Sequence, residues 1–261
     1  WDIVPRPDKT QQVIPCRWVD TLKNKHDEST KKSRLVARGD RDVHKNEYHE
    51  VYAPVARMVT LRIFLSLVAT LKMYTVQMDV RTAFLYAPIK EEIYLKPPAD
   101  LMRLLVKLYR LVDDKSRTRL RADIQRLQIG GVMKLRKSLY GLKQSPKNWH
   151  RTISRFLLGI GFTATKSDSC LYYIVEKEEL VLLLLYVDDI LLAATSQPLL
   201  HKYSQHIRDQ YRVRMKPTLD QYLRIELVHH REQRLITMSL SQYIRDACAN
   251  FGIKENTAIT S

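Results

Sequence analysis

Leu180-Val181-Leu182-Leu183-Leu184-Leu185-Tyr186-Val187-Asp188-Asp189-Ile190-Leu191-Leu192-Ala193-Ala194 sets two adjacent carboxylates inside the most apolar run of the chain. An uncompensated buried carboxylate is costly, so two side by side need a turn open to water, a cation, or both. Neighbours on a straight strand point to opposite faces, whereas at a turn both can face one site. The run therefore predicts a β-hairpin with Asp188 and Asp189 at its tip, and the pair asks for a metal. Two other readings compete. A membrane-spanning helix is opposed by the carboxylates, each of which costs about 2.5 to 3.5 kcal/mol near a helix centre. A turn that uses Asp only for its backbone hydrogen bonds is the plainer alternative.

Composition narrows the partners. A chain of 261 residues with 45% hydrophobic content is long enough for one large domain or two small ones around a real core. A formal net charge of +16 makes a polyanion the default partner. Nucleic acid leads over an acidic membrane surface because the chain shows no amphipathic anchor or lipidation signal; charge kept only for solubility is the plain alternative. Cys16, Cys170 and Cys248 are far apart and form no CxxC pair, so neither a zinc site nor a disulfide framework is expected, and a reducing compartment fits. The start, Trp1-Asp2-Ile3-Val4-Pro5, carries no signal peptide and lacks an initiating Met, so the chain is expected to be cut from something longer.

Upstream of the apolar run, Tyr74-Thr75-Val76-Gln77-Met78-Asp79-Val80 alternates as a strand, with Thr75, Gln77 and Asp79 on its polar face. Asp79 at the strand end could join a metal site or cap a helix. Arg81-Thr82-Ala83-Phe84-Leu85 follows directly, a turn whose N–H groups could meet a phosphate. Nearer the start, Ile14 to Lys23 and Ser33 to Arg38 read as a basic hairpin joined by the polar stretch Asn24 to Thr30. Lys31, Lys32, Arg34 and Arg38 on it suit phosphates, or a charged edge that deters strand pairing. Glu47 to Ala56 is loop-like. Thr60 is expected to cap a helix with Leu61, Phe64, Leu65 and Val68 on its buried stripe.

Beyond Pro97-Pro98, Leu101 to Gly131 is basic and poorly patterned, and is expected to be a solvated helical or loop insertion. Ser145 as cap and Pro146 at the first position open another helix, with Trp149, Ile153, Phe156, Leu157 and Ile160 buried and Gly161 ending it. After the apolar run, Leu199 to Tyr211 reads as helix, Tyr222 to Val228 and Leu235 to Ser239 as a second hairpin, and Tyr243 to Phe251 as a short helix. This order predicts an α+β sheet domain with a smaller C-terminal piece.

Tyr186-Val187-Asp188-Asp189 between apolar strands, preceded by Gln77 to Leu85 and by Ser138-Leu139-Tyr140-Gly141-Leu142-Lys143-Gln144-Ser145-Pro146, resembles the reverse transcriptase of copia-type LTR retrotransposons. Tyr52-Ala53-Pro54-Val55-Ala56 and Arg34-Leu35-Val36-Ala37-Arg38-Gly39 match the same family in the same order. A lone YxDD is weak; five ordered motifs, running from about Ile14 to the C-terminus, are strong.

The resemblance implies a right-hand polymerase with an antiparallel palm sheet carrying the YVDD hairpin. Residues 1–72 would be mostly fingers, 73–98 palm, 99–145 fingers and insertion, 146–197 palm, and 198–261 the palm end with a partial thumb. It implies an RNA-directed DNA polymerase that uses two Mg²⁺ ions, with Mn²⁺ as the substitute, held by Asp79, Asp188 and Asp189. Asp79 and Asp188 would be the principal ligands. Lys32 and Arg34 would fold over the incoming deoxynucleoside triphosphate, with Arg81 and Thr82 at the turn beside it. Phe84 would exclude a 2′-hydroxyl, unless it is a core aromatic. Tyr140 and Lys143 would lie near template and nucleotide. The partners implied are an RNA or DNA template with its primer, and the ribonuclease H and integrase domains of the same polyprotein; no membrane is expected. Location in the cytoplasm, within a virus-like particle, and in the nucleus follows from the same source.

Departures keep two rivals open. The fingers loop carries Asp27-Glu28-Ser29, and the thumb segment reads Asp220-Gln221-Tyr222-Leu223-Arg224-Ile225-Glu226, where the family usually has glycine. Leu101 to Gly131 also looks longer than the family's usual link. An inactive transposon remnant of the same fold is one rival, and a non-catalytic basic nucleic-acid-binding module is the other.

Overall fold

The apolar run folds as two antiparallel strands. The computed structural model describes residues 1–25, 28–43 and 52–253. Its elements in chain order are β1 (Asp2–Val4), β2 (Val13–Ile14), β3 (Cys16–Lys25), β4 (Glu28–Ala37), α1 (Met58–Thr70), β5 (Tyr74–Val80), β6 (Tyr94–Leu95), α2 (Leu101–Tyr109), α3 (Asp114–Gln128), β7 (Val132–Lys134), α4 (Ser145–Gly159), β8 (Thr163–Ala164), β9 (Leu171–Glu176), β10 (Glu179–Tyr186), β11 (Asp189–Ala194), α5 (Gln197–Gln210), β12 (Val213–Lys216), β13 (Gln221–Tyr222), β14 (Ile225–His230), β15 (Leu235–Ser239) and α6 (Ser241–Asn250). The chain is a mixed α+β protein in two units, Trp1–Ala53 with Thr82–Ser154, and Pro54–Arg81 with Arg155–Ser261. Of the loop expected over Glu47 to Ala56, residues 47–51 lie outside the described residues, and 52–56 carry no regular structure.

The second unit is built on an antiparallel sheet in the order β12-β5-β11-β10-β9-β8. Strands β10 and β11 pair from Val181↔Ala194 to Tyr186↔Asp189, and β5 pairs β11 from Tyr74↔Ala194 to Asp79↔Asp189. Leu182, Leu184, Leu191 and Ala193 share one face, packed with Leu61, Phe64, Leu65 and Val68 of α1 and with Tyr222, Ile225 and Leu227 of the β13-β14-β15 sheet. Leu183, Leu185, Ile190 and Leu192, on the other face, are equally buried. With both faces covered, a strand has no reason to alternate, and its sequence reads as an unbroken apolar run. Each leucine buried this way contributes about 1.5–3 kcal/mol. The same burial reaches Gln77 on the polar side of β5, while Asp79 at the strand end is exposed.

Helix α1 forms where the apolar stripe predicted it, but Thr60 is not its cap. The helix starts at Met58, and Thr60 sits inside the first turn, donating its hydroxyl to Asp168 at 2.6 Å. Asp168 also accepts the Arg57 N–H at 3.1 Å and the Cys170 N–H at 2.9 Å. A carboxylate more than a hundred residues away thus satisfies the Arg57 N–H at the helix start, one of the backbone donors with no partner within the helix, and also holds the Thr60 hydroxyl.

The first unit holds a sheet in the order β1-β7-β6-β2 and the separate β3-β4 hairpin. Ile3, Ile14, Leu95 and Met133 of the sheet form a core with Leu101 and Leu105 of α2 and with Leu139 and Leu142. Pairing of β3 and β4 runs from Cys16↔Ala37 to Lys25↔Glu28, so the strands extend into both sides of the stretch expected to be a polar connection, whose residues 26–27 lie outside the described residues. Ladder bonds belong to the backbone and form whatever the side-chain polarity. The basic stretch Leu101 to Gly131, expected to be a solvated insertion, folds as α2 and α3; Leu101 and Leu105 of α2 are buried in the core, and Asp113 caps α3 by accepting the Ser116 N–H at 2.8 Å. Ser145 at the start of α4 bonds backward, its hydroxyl donating to the Leu139 carbonyl at 2.6 Å. Trp149, Ile153 and Leu157 of the α4 stripe are buried. Among the described residues, no helix is long and apolar enough to cross a membrane.

Candidate functional site

The three carboxylates all belong to the second unit, where the β10–β11 connection is a two-residue loop of Val187 and Asp188. Asp189 is the first residue of β11, and its partner across the ladder is Asp79. The Val80 N–H donates to the Asp188 carbonyl at 2.8 Å. That bond makes 80 and 188 a hydrogen-bonded pair and leaves Asp79 and Asp189 as the closer, non-hydrogen-bonded kind, with Cα atoms about 4.5 Å apart. Directly opposite residues share a face, so the two carboxylates stand side by side. Asp79 is exposed; Asp188 and Asp189 are half-buried. Among the described residues no three His, Cys, Asp or Glu side chains gather into a metal-binding group. What the register brings together is the pair Asp79 and Asp189, with Asp188 fixed beside them by its backbone.

Two features here were not read from sequence. Arg214 of β12 pairs with Asp79 on its other side, so a cation and two carboxylates form one row across three strands. Tyr222, 1% exposed, has a hydroxyl with no hydrogen-bond partner among the described residues. Burial first, and the Asp189 charge second, push its phenol far above the ordinary tyrosine value. The loop itself is strained. Val187 has φ 54°, a region that costs a residue with a Cβ about 1–2 kcal/mol and that a β-branched side chain seldom enters. A tight hairpin needs positive φ there, and the buried strands on either side enforce it.

In the first unit, Phe84, Tyr140 and Arg34 form a ladder. The rings of Phe84 and Tyr140 lie 4.8 Å apart at 59°, and the Arg34 guanidinium lies 5.7 Å from the Tyr140 centroid. Phe84 stands on a short 3₁₀ turn, Ala83–Tyr86, entered through Thr82 at φ 55°. It is half-buried, neither a core residue nor a free one. Lys32, Thr82 and Lys143 are exposed. Arg81, also exposed, belongs to the second unit, where its N–H donates to the Arg212 carbonyl at 2.9 Å.

The family profile described as reverse transcriptase (RNA-dependent DNA polymerase) matches residues 1–116 and 122–261. The chain belongs to the reverse transcriptase family. The break in the match, residues 117–121, falls inside α3. Among curated relatives, the chain is 32% identical over 251 residues to the retrovirus-related Pol polyprotein from transposon RE1 of Arabidopsis thaliana, covering 95% of this chain and 16% of that protein. It is 29% identical over 260 residues to the Pol polyprotein from transposon TNT 1-94 of Nicotiana tabacum, covering 97% and 18%. A Ty1-LR2 Gag-Pol polyprotein of Saccharomyces cerevisiae is 30% identical over 215 residues, covering 81% and 10%. The chain thus spans under a fifth of the length of these relatives.

Two motif glycines of this family member have a visible cause. Gly141 has φ +90°, and a Cβ on it would overlap the Ala37 carbonyl oxygen; a Cβ on Gly39 would overlap the Gly141 carbonyl oxygen. The Ala37 N–H donates to the Tyr140 carbonyl at 2.8 Å. The end of β4 and the Tyr140–Gly141 backbone touch so closely that only glycine fits.

Proposed function

We propose that the chain is an RNA-directed DNA polymerase, joining the α-phosphorus of a deoxynucleoside triphosphate to a primer 3′-oxygen and releasing pyrophosphate. The observation that carries this reading is the Asp79–Asp189 pair at the turn end of a buried hairpin, in a chain of the reverse transcriptase family. Acceptor-only carboxylate oxygens facing one another suit a hard divalent cation, and Asp79, Asp188 and Asp189 are the residues that would hold Mg²⁺, or Mn²⁺ in its place. Such ions, when bound, activate the attacking hydroxyl and stabilise the leaving phosphate oxygens. Arg214 would balance the charge of the row. Lys32, Arg34, Arg81, Thr82 and Lys143 would receive triphosphate and template, and Phe84 would exclude the 2′-hydroxyl. The six-stranded sheet is the palm in this reading and the β3-β4 hairpin belongs to the fingers. Template, primer and deoxynucleotides are the partners, together with the ribonuclease H and integrase segments of a Pol polyprotein, in the cytoplasm and nucleus.

Primer extension on a homopolymer RNA template tests it. Asn keeps the shape of Asp and removes the charge that holds a cation. Asp79→Asn and Asp188→Asn should therefore lose extension, at least 100-fold by the scale of lost electrostatic stabilisation (~2.7 kcal/mol), while affinity for primer–template duplex stays level or rises slightly. A wild-type chain that binds duplex with Mg²⁺ present and never extends it would move the reading to a non-polymerising fragment of the same fold.

A further inference from the structure

We infer that Tyr140 is a positioning residue for sugar selection, holding the Phe84 ring in place and being held in turn by Arg34 and by the glycine contact with β4. This rests on the polymerase reading above. Selection by a clash with the 2′-hydroxyl is only as strong as the stiffness of the ring that clashes, since a ring free to retreat makes room for the extra oxygen. Phe84 gets little stiffness from its own segment, a single 3₁₀ turn with the ring half-buried. The support comes from the Tyr140 ring at 4.8 Å, tilted at 59° in the range aromatic pairs favour.

Tyr140 is itself fixed twice. Its carbonyl accepts the Ala37 N–H at 2.8 Å, and Gly141 next to it is wedged against the Ala37 carbonyl with no room for a Cβ. Its ring has the Arg34 guanidinium over it at 5.7 Å, within the distance at which a cation is drawn to an aromatic face. Strand β4, which also carries Lys32, therefore sets the place of Tyr140, and Tyr140 sets the place of Phe84. A residue that merely lined the nucleotide would need none of this bracing.

The test compares kcat/KM for a deoxynucleotide and the matching ribonucleotide in primer extension. Tyr140→Ala should lower the deoxy-to-ribo ratio by about 3- to 10-fold, the scale of one aromatic pair, and Tyr140→Phe should keep the wild-type ratio. In a Phe84→Ala background, Tyr140→Ala should have no further effect on the ratio, because there is no ring left to hold. An equal effect with and without Phe84, or a raised KM for both sugars at an unchanged ratio, would overturn the inference and make Tyr140 a direct nucleotide contact. If Tyr140→Ala does not fold, Tyr140→Leu keeps the bulk without the ring, and the same ratio decides. A substrate-free readout separates this from the polymerase reading. Aromatic ¹³C relaxation of Phe84 should report a more mobile ring in the Tyr140 variants, and unchanged mobility overturns the inference even in a protein that does not polymerise.

Discussion

At Asp168, burial pushes the carboxyl toward its neutral form, while hydrogen bonds from the Thr60 hydroxyl and the Arg57 and Cys170 N–H groups outweigh it and hold the pKa below the usual carboxylate value. The thiol of Cys170 goes the other way, pushed up to about 12 by burial and by the Asp168 charge, so it stays protonated and unreactive. A carboxyl depressed in the folded state stabilises the fold above its unfolded pKa, and that stabilisation is lost as pH falls through the lower, folded value. Asp168→Asn should destabilise the chain by about 1–3 kcal/mol at pH 7, the scale of charge-assisted bonds to a buried group. Urea unfolding at pH 7, 5 and 3 checks the sign: the gap between variant and wild type should close below about pH 4. A gap of the same size at all three would mean that shape, and not charge, holds α1 to this loop.

Among the elements, the β13–β14 hairpin is the one whose turn works against its sequence. Tyr222 pairs with Ile225, leaving Leu223 and Arg224 as a two-residue loop with φ of 52° and 66°. Positive φ at both positions is the hairpin geometry that normally selects glycine or asparagine. Leu223 is partly buried against the core that holds Tyr222 and Leu227, whereas Arg224 is exposed and gains nothing from its side chain there. Arg224→Gly should therefore stabilise the chain by about 0.5–1 kcal/mol, the left-handed penalty less the entropy glycine adds to the unfolded state. Leu223→Gly should not, since it forfeits the packing. Thermal melting of the two variants separates them, and equal shifts would show that backbone strain alone sets the stability of this turn.

For the molecule as a whole the governing quantity is charge. A formal charge of +16 on 261 residues attracts any polyanion without regard to sequence, so much of the duplex affinity should come from released counterions. If about 6 to 10 phosphates are neutralised, affinity for primer–template should fall by about 10³ to 10⁵ between 50 and 200 mM salt. Fluorescence anisotropy across that range gives the slope, and a flat response would remove nucleic acid as the reason for the charge.

The sequence by itself determined where the carboxylates lie, which segments carry a helical stripe, and that the apolar run at Leu180–Ala194 is a hairpin with the carboxylates at its tip. These follow from local rules, periodicity and the cost of burying charge, which act within a few residues. The resemblance marked Asp220 to Glu226 as a segment where the family usually has glycine, and the structure shows positive φ within it at Leu223 and Arg224. Only the tertiary structure decided that Asp189 is the residue facing Asp79, that Arg214 stands on the other side, and that the Tyr140 ring packs against Phe84. Register between strands about 110 residues apart is set by how whole faces pack, and a slip of one residue would turn Asp189 away from Asp79. The Asp168 cap of α1 was hidden for the same reason: its donors and its acceptor are separated by more than a hundred residues, and no local pattern links them.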